Sequence, residues 1–164
     1  MQYSITKLSP QHELADFETT SPKLTDYLKK TAGQHMRKSI SQVYVATDDD
    51  NPHKVLGYCS ITPRAPVPTS ELPLEFQRRL PHNVPAYTLG RLAVATHSQR
   101  QGIGELLLLH AMALIRQAAA SVGGWGMFVD AEDEKAAIYY RQFGFTPLPS
   151  NPLILFMPVS DLPG

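Results

Sequence analysis

Leu89-Gly90-Arg91-Leu92-Ala93-Val94, a short polar loop, and then Gln99-Arg100-Gln101-Gly102-Ile103-Gly104 opening an apolar run form the stretch on which the fold turns. The first six residues read as the end of a buried strand beginning at Ala86, and a long helix is predicted from about Gly102 to Ala120. A strand that delivers a glycine-containing loop to a helix N-terminus makes an anion site, because unpaired backbone N–H groups and the positive dipole end converge there. Gly102 and Gly104 let backbone approach the anion closely. Alone, the two glycines also fit an ordinary helix-starting turn. Two other phosphate loops are excluded: a dinucleotide fingerprint wants a third glycine, and a nucleoside-triphosphate loop wants Gly-Lys-Ser or Gly-Lys-Thr, whereas Glu105 follows Gly104.

Downstream, Gly123-Gly124 ends the helix, Gly126 to Asp130 reads as a short apolar strand, and Glu132 to Phe143 as a helix closed by Gly144. Leu153 to Val159 reads as a last strand. Upstream, Tyr3 to Leu8 alternates as a first strand. Ser21-Pro22 caps a helix whose apolar face is Leu24, Tyr27, Leu28 and Ala32, ending near Gly33 or running on to Lys38. Val43 to Val45 and Val55 to Thr62 make an antiparallel hairpin around an Asp48-to-Pro52 turn. From Pro63 to Pro85 prolines recur too often for a sheet interior, so an ordered connection is expected, with a short helix over Glu75 to Leu80. The whole, 1–164, reads as a single domain of mixed α and β on one central sheet, without repeats or linkers.

The 164 residues carry 15 basic and 15 acidic side chains, so no long-range field draws in a polyanion and any such partner must be bound by a local patch. A single cysteine, Cys59, excludes a disulfide framework and any multi-cysteine metal site, which favours the cytoplasm; inside an apolar strand it reads as a small buried hydrophobe. The six histidines have no paired spacing on a helix face, so no metal is expected. Met1 to Pro10 lacks a signal-peptide layout. The longest apolar run, Leu106 to Ile115, is interrupted by His110 and falls short of the roughly 20 residues a bilayer needs, so no membrane role is expected.

The Gln99-x-x-Gly102-x-Gly104 element after Leu92-Ala93-Val94, with Ala136-Ala137-Ile138-Tyr139-Tyr140-Arg141-Gln142-Phe143-Gly144-Phe145 downstream, resembles the GNAT N-acetyltransferase superfamily. The resemblance implies a central twisted, mostly antiparallel sheet, flanked by helices, whose middle strands splay apart. Acetyl-CoA would lie in that gap on Leu92, Ala93 and Val94, with its pyrophosphate on the loop from Gln99 through Arg100, Gln101, Gly102 and Ile103 to Gly104, and CoA would leave as product. A narrower resemblance runs through Phe17, Tyr27-Leu28, Gly57-Tyr58, Val129-Asp130-Ala131 and Pro152 to Phe156. It is to the GNAT toxins of toxin–antitoxin pairs, which implies an aminoacyl-tRNA acceptor and a ribbon-helix-helix antitoxin, and leaves room for a homodimer. Thr20-Ser21 departs from the family's Cys-Gly or Ser-Gly before the first helix, and Asp133 stands where many acetyltransferases carry asparagine.

Acetyl transfer from a thioester to an amine needs a neutral amine, a polarised carbonyl and a proton for the leaving thiolate. A backbone N–H of Leu92 to Val94 can polarise the carbonyl if the strand edge is free. On the family match Tyr140 is the acid, since a phenol of pKa near 10 can protonate a thiolate whose acid titrates near 8.5. Tyr139, about 100° round the helix, reads as a packing aromatic. Asp130, Glu132 and Asp133 are candidate bases, but each is more simply a strand-end or helix-N-terminal acid. An α-amino group titrating near 7.7 to 8.0, lower still beside an ester, needs no base. Lys29, Lys30, Arg37 and Lys38 with Arg78, Arg79, Arg91 and Arg141 are candidates for an RNA-binding patch. The alternatives to the toxin are an acetyltransferase of a small amine or protein amino group, and a silent acyl-CoA-binding module.

Overall fold

Ser21 starts the first helical segment as expected: its Oγ accepts from the Leu24 N–H at 3.3 Å, with Pro22 at the first helical position. The computed structural model of the chain describes residues 2–164. Strand β1 (Tyr3–Lys7) precedes helix α1 (Pro22–Asp26), a π-helical turn (Tyr27–Thr31) and α2 (Ala32–Arg37). In the π turn the Ala32 N–H reaches the Tyr27 carbonyl, five residues back, which brings Tyr27 and Ala32 into line on the buried face. Then follow β2 (Gln42–Asp48), β3 (Gly57–Pro68), β4 (Asn83–Val94), α3 (Ile103–Val122), β5 (Gly126–Asp130), α4 (Glu134–Gln142), β6 (Thr146–Leu148) and β7 (Asn151–Pro158). The strands form a seven-stranded sheet in the order β1-β2-β3-β4-β5-β7-β6. Its β1·β2, β2·β3, β5·β7 and β6·β7 ladders are antiparallel and β4·β5 is parallel.

The chain packs as two compact units, Met1–Thr62 with Gly90–Ala111, and Pro63–Leu89 with Met112–Gly164. The first has a core of Phe17, Tyr27, Leu28, Val43, Val45, Tyr58 and Ala93. The second is built on Val67, Leu72, Val84, Ala86, Phe128 and Phe156, the last stacked on Phe128 and on Trp125. Each fully buried side chain of this size contributes about 1.5–3 kcal/mol before the entropy of ordering it is counted.

Several elements differ from the sequence expectation: the π turn splits the expected first helix, and β4 begins at Asn83, within the expected connection, instead of Ala86. Strand β3 runs on through Pro63, Pro66 and Pro68, where a connection was expected. Its ladder with β2 ends at Ile61, so on that side the later residues need no N–H donor, and all three prolines are exposed. The helix expected over Glu75 to Leu80 is a single 3₁₀ turn, Leu74–Phe76, preceded by another at Thr69–Glu71. Strand β6, with Pro147 at its centre, carried no periodic signal in three residues. By length and composition α3 would suffice to cross a bilayer, yet Ile103, Leu107, Leu108, Ala111, Met112 and Ile115 are buried, as a core helix requires.

Candidate active site

In the first unit, the corner from β4 into α3 is tied down by backbone bonds at both sides. Ala95 N–H donates to Leu56 O and Thr96 N–H to Glu18 O, each at 2.8 Å. Beneath it Gly57 allows close strand contact: a Cβ there would lie 2.9 Å from the Ala93 carbonyl oxygen, and within 3.2 Å of Leu107 and Ile103 side chains. The loop itself takes an unusual backbone. Arg100 has φ 63° and Gly102 φ 81°, with Gln101 outside the left-handed region. Two left-handed residues flanking Gln101 give the loop the sharply turned backbone from which an anion-binding nest is built. A non-glycine residue held left-handed, as Arg100 is, costs on the order of 1 kcal/mol and persists where the surroundings enforce it. Nothing lies within 4 Å of a Cβ position at Gly102, so the concavity is open. The first helical bond of α3, Leu106 N–H to Gly102 O at 3.1 Å, leaves the amides before it without a partner inside the helix. A cavity of about 250 Å³ adjoins the loop through Ser98 and Gln101, with Lys54 and His97 in its wall. Backbone donors, the Lys54 ammonium and open space suit the pyrophosphate of acetyl-CoA, and the Asp48 carboxylate in the same wall weighs against them.

The β4·β5 ladder pairs Ala86 with Gly126 through Leu89 with Val129 and stops there. Residues 90–94 of β4 run on past the last pair of that ladder, and β5 itself ends one residue beyond it at Asp130.

In the second unit, Asp133 caps α4, its Oδ1 accepting from the Ala136 N–H at 2.8 Å. Asparagine would serve the same cap, which explains why aspartate is tolerated at this position. The cap sets the phase of Tyr140, which is 6% exposed. Its ring packs edge-on against Tyr139 and Phe145, with centroids 5.6 and 5.8 Å away. Tyr139 is half-buried and lies against Phe143 at 5.0 Å, the packing role expected of it. Gly144, at φ 98°, stops the helix in the left-handed conformation anticipated for it.

Of the three candidate bases, Asp133 is occupied as the cap and Glu132 is exposed. Asp130 is held in a bidentate ion pair by Arg64 at 3.0 and 3.1 Å. Arg64 escaped the sequence reading because it stands among the prolines taken for a connection; an arginine inside an apolar, proline-spaced run was the available signal.

The basic residues fall in both units. Lys29 donates to Ala15 O at 3.1 Å and Lys30 pairs with Asp26 at 3.5 Å, so these two lysines are engaged in part, while Arg37 and Lys38 are exposed. Arg91 stacks its guanidinium 3.6 Å above the Tyr27 ring, whose hydroxyl meets His35 Nδ1 at 3.0 Å and Ser41 Oγ at 3.1 Å. Arg78, Arg79 and Arg141 belong to the second unit and are exposed. Cys59 is wholly buried and burial pushes its thiol up to about 12, so it is not a nucleophile.

A strand that feeds an open, left-handed loop at the start of a long helix is the cradle an acyl-CoA-dependent transferase needs for its cofactor. Residues 39–147 match the family model of the acetyltransferase (GNAT) domain, and the chain belongs to that family. It is 30% identical to the tRNA-acetylating toxin of Mycobacterium tuberculosis over 155 residues, 94% of this chain and 91% of that one. Among solved structures, a tyrosine-to-phenylalanine mutant of KacT superposes with a TM-score of 0.92 at 28% identity, covering 99% of this chain and 98% of that one. AtaT complexed with acetyl-methionyl-tRNAfMet gives 0.89 at 31% identity, covering 97% and 96%. A mutant AtaT bound to the C-terminus of the antitoxin AtaR and to acetyl-CoA gives 0.82 at 29%, covering 99% and 96%.

Proposed function

We propose that this acetyltransferase is the toxin of a cytoplasmic toxin–antitoxin pair, that all of 1–164 forms its one catalytic domain, and that it acetylates the α-amino group of aminoacyl-tRNA. The observation that carries the reading is likeness over nearly the full length to a tRNA-acetylating toxin, in a chain whose Arg100–Gly102 backbone is shaped for an anion. Acetyl-CoA supplies the acetyl group as an activated thioester. The amides of Arg100 to Gly104 hold its pyrophosphate, and a backbone N–H of Leu92 to Val94 polarises the thioester oxygen as charge develops on it. The amine nitrogen forms the new C–N bond while the C–S bond breaks, and Tyr140 gives its phenolic proton to the departing sulfur. The proton lost by the amine passes to solvent and solvent returns one to the Tyr140 phenolate, so the phenol is restored without a side-chain base. Acetylation removes the nucleophile that peptide-bond formation needs, which blocks translation. A ribbon-helix-helix antitoxin neutralises the enzyme by covering its RNA-binding face.

The test is a screen of acceptors with purified protein and labelled acetyl-CoA: charged tRNA, uncharged tRNA, polyamines, free amino acids and peptides. Label is expected on charged tRNA only. Label on a polyamine or peptide with none on charged tRNA overturns the acceptor assignment, and absence of transfer to every acceptor overturns the enzyme reading. Gly104→Glu, which sets an anion in the pyrophosphate cradle, is expected to abolish acetyl-CoA binding.

A further inference from the structure

Strand β1 lies at the edge of the sheet, separated from β4 by β2 and β3, yet one of its side chains reaches the loop that follows β4. The Tyr3 hydroxyl donates to Gln101 Oε1 at 2.8 Å, across 98 positions of sequence. Both residues belong to the first compact unit. Gln101 stands between Arg100 at φ 63° and Gly102 at φ 81°, so the bond grips the loop at its turned centre.

The donor is fixed before it meets the loop. Strand β1 pairs with β2 from Tyr3 opposite Asp48 to Lys7 opposite Tyr44, and just beyond that ladder the Asp49 N–H donates to the Gln2 carbonyl at 3.0 Å. Ser4 Oγ donates to Asp49 Oδ1 at 2.5 Å at the same corner. Asp48, the ladder partner of Tyr3, and Gln101 line one cavity of about 250 Å³, so the strand edge and the loop meet there. The stem of the loop is held by main chain, at Ala95 and Thr96, and the Ser98 N–H closes a turn onto Ala95 O at 2.9 Å. At the turned centre the grip passes to a side chain from another strand.

Two physical costs give that grip its importance. Arg100 is a non-glycine residue in the left-handed region, a conformation that persists only where the surroundings enforce it. Amides aimed at an anion bind it well when the loop already has its bound shape, because ordering a mobile loop subtracts from affinity. We propose that Tyr3 is a positioning residue for acetyl-CoA: its hydroxyl, through Gln101, holds the Arg100–Gly102 backbone in the shape that receives the pyrophosphate. Tyr3 acts on the loop and not on the thioester. This rests on the placement of the pyrophosphate on the amides of Arg100 to Gly104 given above.

The experiment measures by calorimetry the Kd of CoA and of pantetheine, which has the thiol-bearing arm and no pyrophosphate. Tyr3→Phe keeps the ring and removes the donor. It is expected to weaken CoA binding about threefold, the lower part of the range for one hydrogen bond because this one lies at the surface. Pantetheine affinity should stay the same and Tm should fall by no more than about 2 °C. Gln101→Met removes the acceptor while keeping the side-chain length and the main-chain amide. It should weaken CoA to the same extent, which keeps the test open if the phenylalanine variant folds poorly. The double variant should bind CoA no more weakly than either single variant, because both changes remove one and the same bond. Unchanged CoA affinity in both single variants, or losses that multiply in the double variant, overturns the inference while leaving the cofactor assignment intact. Equal losses for CoA and pantetheine, or a CoA loss that follows Tm, overturn it too and show the bond to be a general clip of the fold. A wild type that binds CoA no more tightly than pantetheine overturns the pyrophosphate placement on which the inference rests.

Discussion

Tyr140 carries two demands on one ring, since it closes the packing between Tyr139 and Phe145 and is also the proposed proton donor to the leaving sulfur. Phenylalanine meets the first demand and fails the second. Tyr140→Phe is therefore expected to keep acetyl-CoA affinity and Tm while lowering kcat by about 10²–10⁴, the usual worth of a positioned general acid. Calorimetry and single-turnover transfer read the two halves separately. A kcat within threefold of wild type would remove Tyr140 from the chemistry. At this scale the sequence was most legible where a residue type is demanded by backbone: Gly102 and Gly144 sit at positive φ, as a loop cradle and a helix stop require. It was least legible where a residue's meaning comes from a partner distant in the chain. Arg64 gains its role from Asp130, 66 positions away, and no local pattern encodes that pairing.

Among elements, α4 is the one whose placement most directly sets the chemistry, because a nine-residue helix has little intrinsic stability and depends on its cap and its buried face. Asp133→Ala removes the acceptor for the Ala136 N–H and is expected to cost about 1 kcal/mol. For a chain of this size that lowers Tm by roughly 2–4 °C. The same variant should lower kcat, as Tyr140 loses its fixed phase. Asp133→Asn preserves the cap and should match wild type in both measurements; a drop equal to that of alanine would mean that the charge, not the cap, matters. Elements with strong periodicity or clear punctuation were readable from sequence: β5 has the bounds expected for it, and α3 differs by a residue or two at each end. The proline-rich continuation of β3 was not, because proline forbids a donor rather than an extended backbone, and only the ladder shows that no donor is required there. The π turn between α1 and α2 was equally hidden, since the apolar spacing over Tyr27, Leu28 and Ala32 fits an α-helix almost as well.

For the whole molecule, balanced charge leaves pH and salt to act through particular groups. His110 lies against Tyr44 with ring centroids 4.9 Å apart, its Nε2 buried without a partner, and burial lowers its pKa from 6.5. His12 is lowered too, chiefly by burial and further by His53, against a backbone hydrogen bond at Ser9 that raises it. In both cases the unfolded chain takes up a proton first as pH falls. The stability present above pH 6.5 is thus lost between 6.5 and the lower folded-state values, and levels off below them. The urea midpoint should fall from pH 7 to pH 5.5, and fall less in His110→Phe, which also removes an unsatisfied buried nitrogen; equal falls would exclude His110 as a contributor.

Salt tests the other half of that electrostatic picture. With 15 cations against 15 anions, attraction for tRNA must come from a local group such as Lys29, Lys30, Arg37 and Lys38, which lie within one unit around the first two helices and the turn joining them. Each phosphate neutralised releases condensed counterions, so binding should weaken steeply with ionic strength, by a slope that counts the contacts. Lys30 spends part of its charge on Asp26 and Lys29 donates to a carbonyl, but both remain exposed and can turn to a phosphate at small cost. Replacing all four by alanine should weaken charged-tRNA binding at low salt, flatten its salt dependence by up to about four contacts, and leave acetyl-CoA affinity unchanged. Acetylation rates on charged tRNA, measured for wild type and the four-alanine variant at 50 and about 200 mM salt, check the prediction. If the two proteins respond alike to salt, the RNA footprint lies elsewhere, and Arg78, Arg79 and Arg141 of the second unit become the residues to replace.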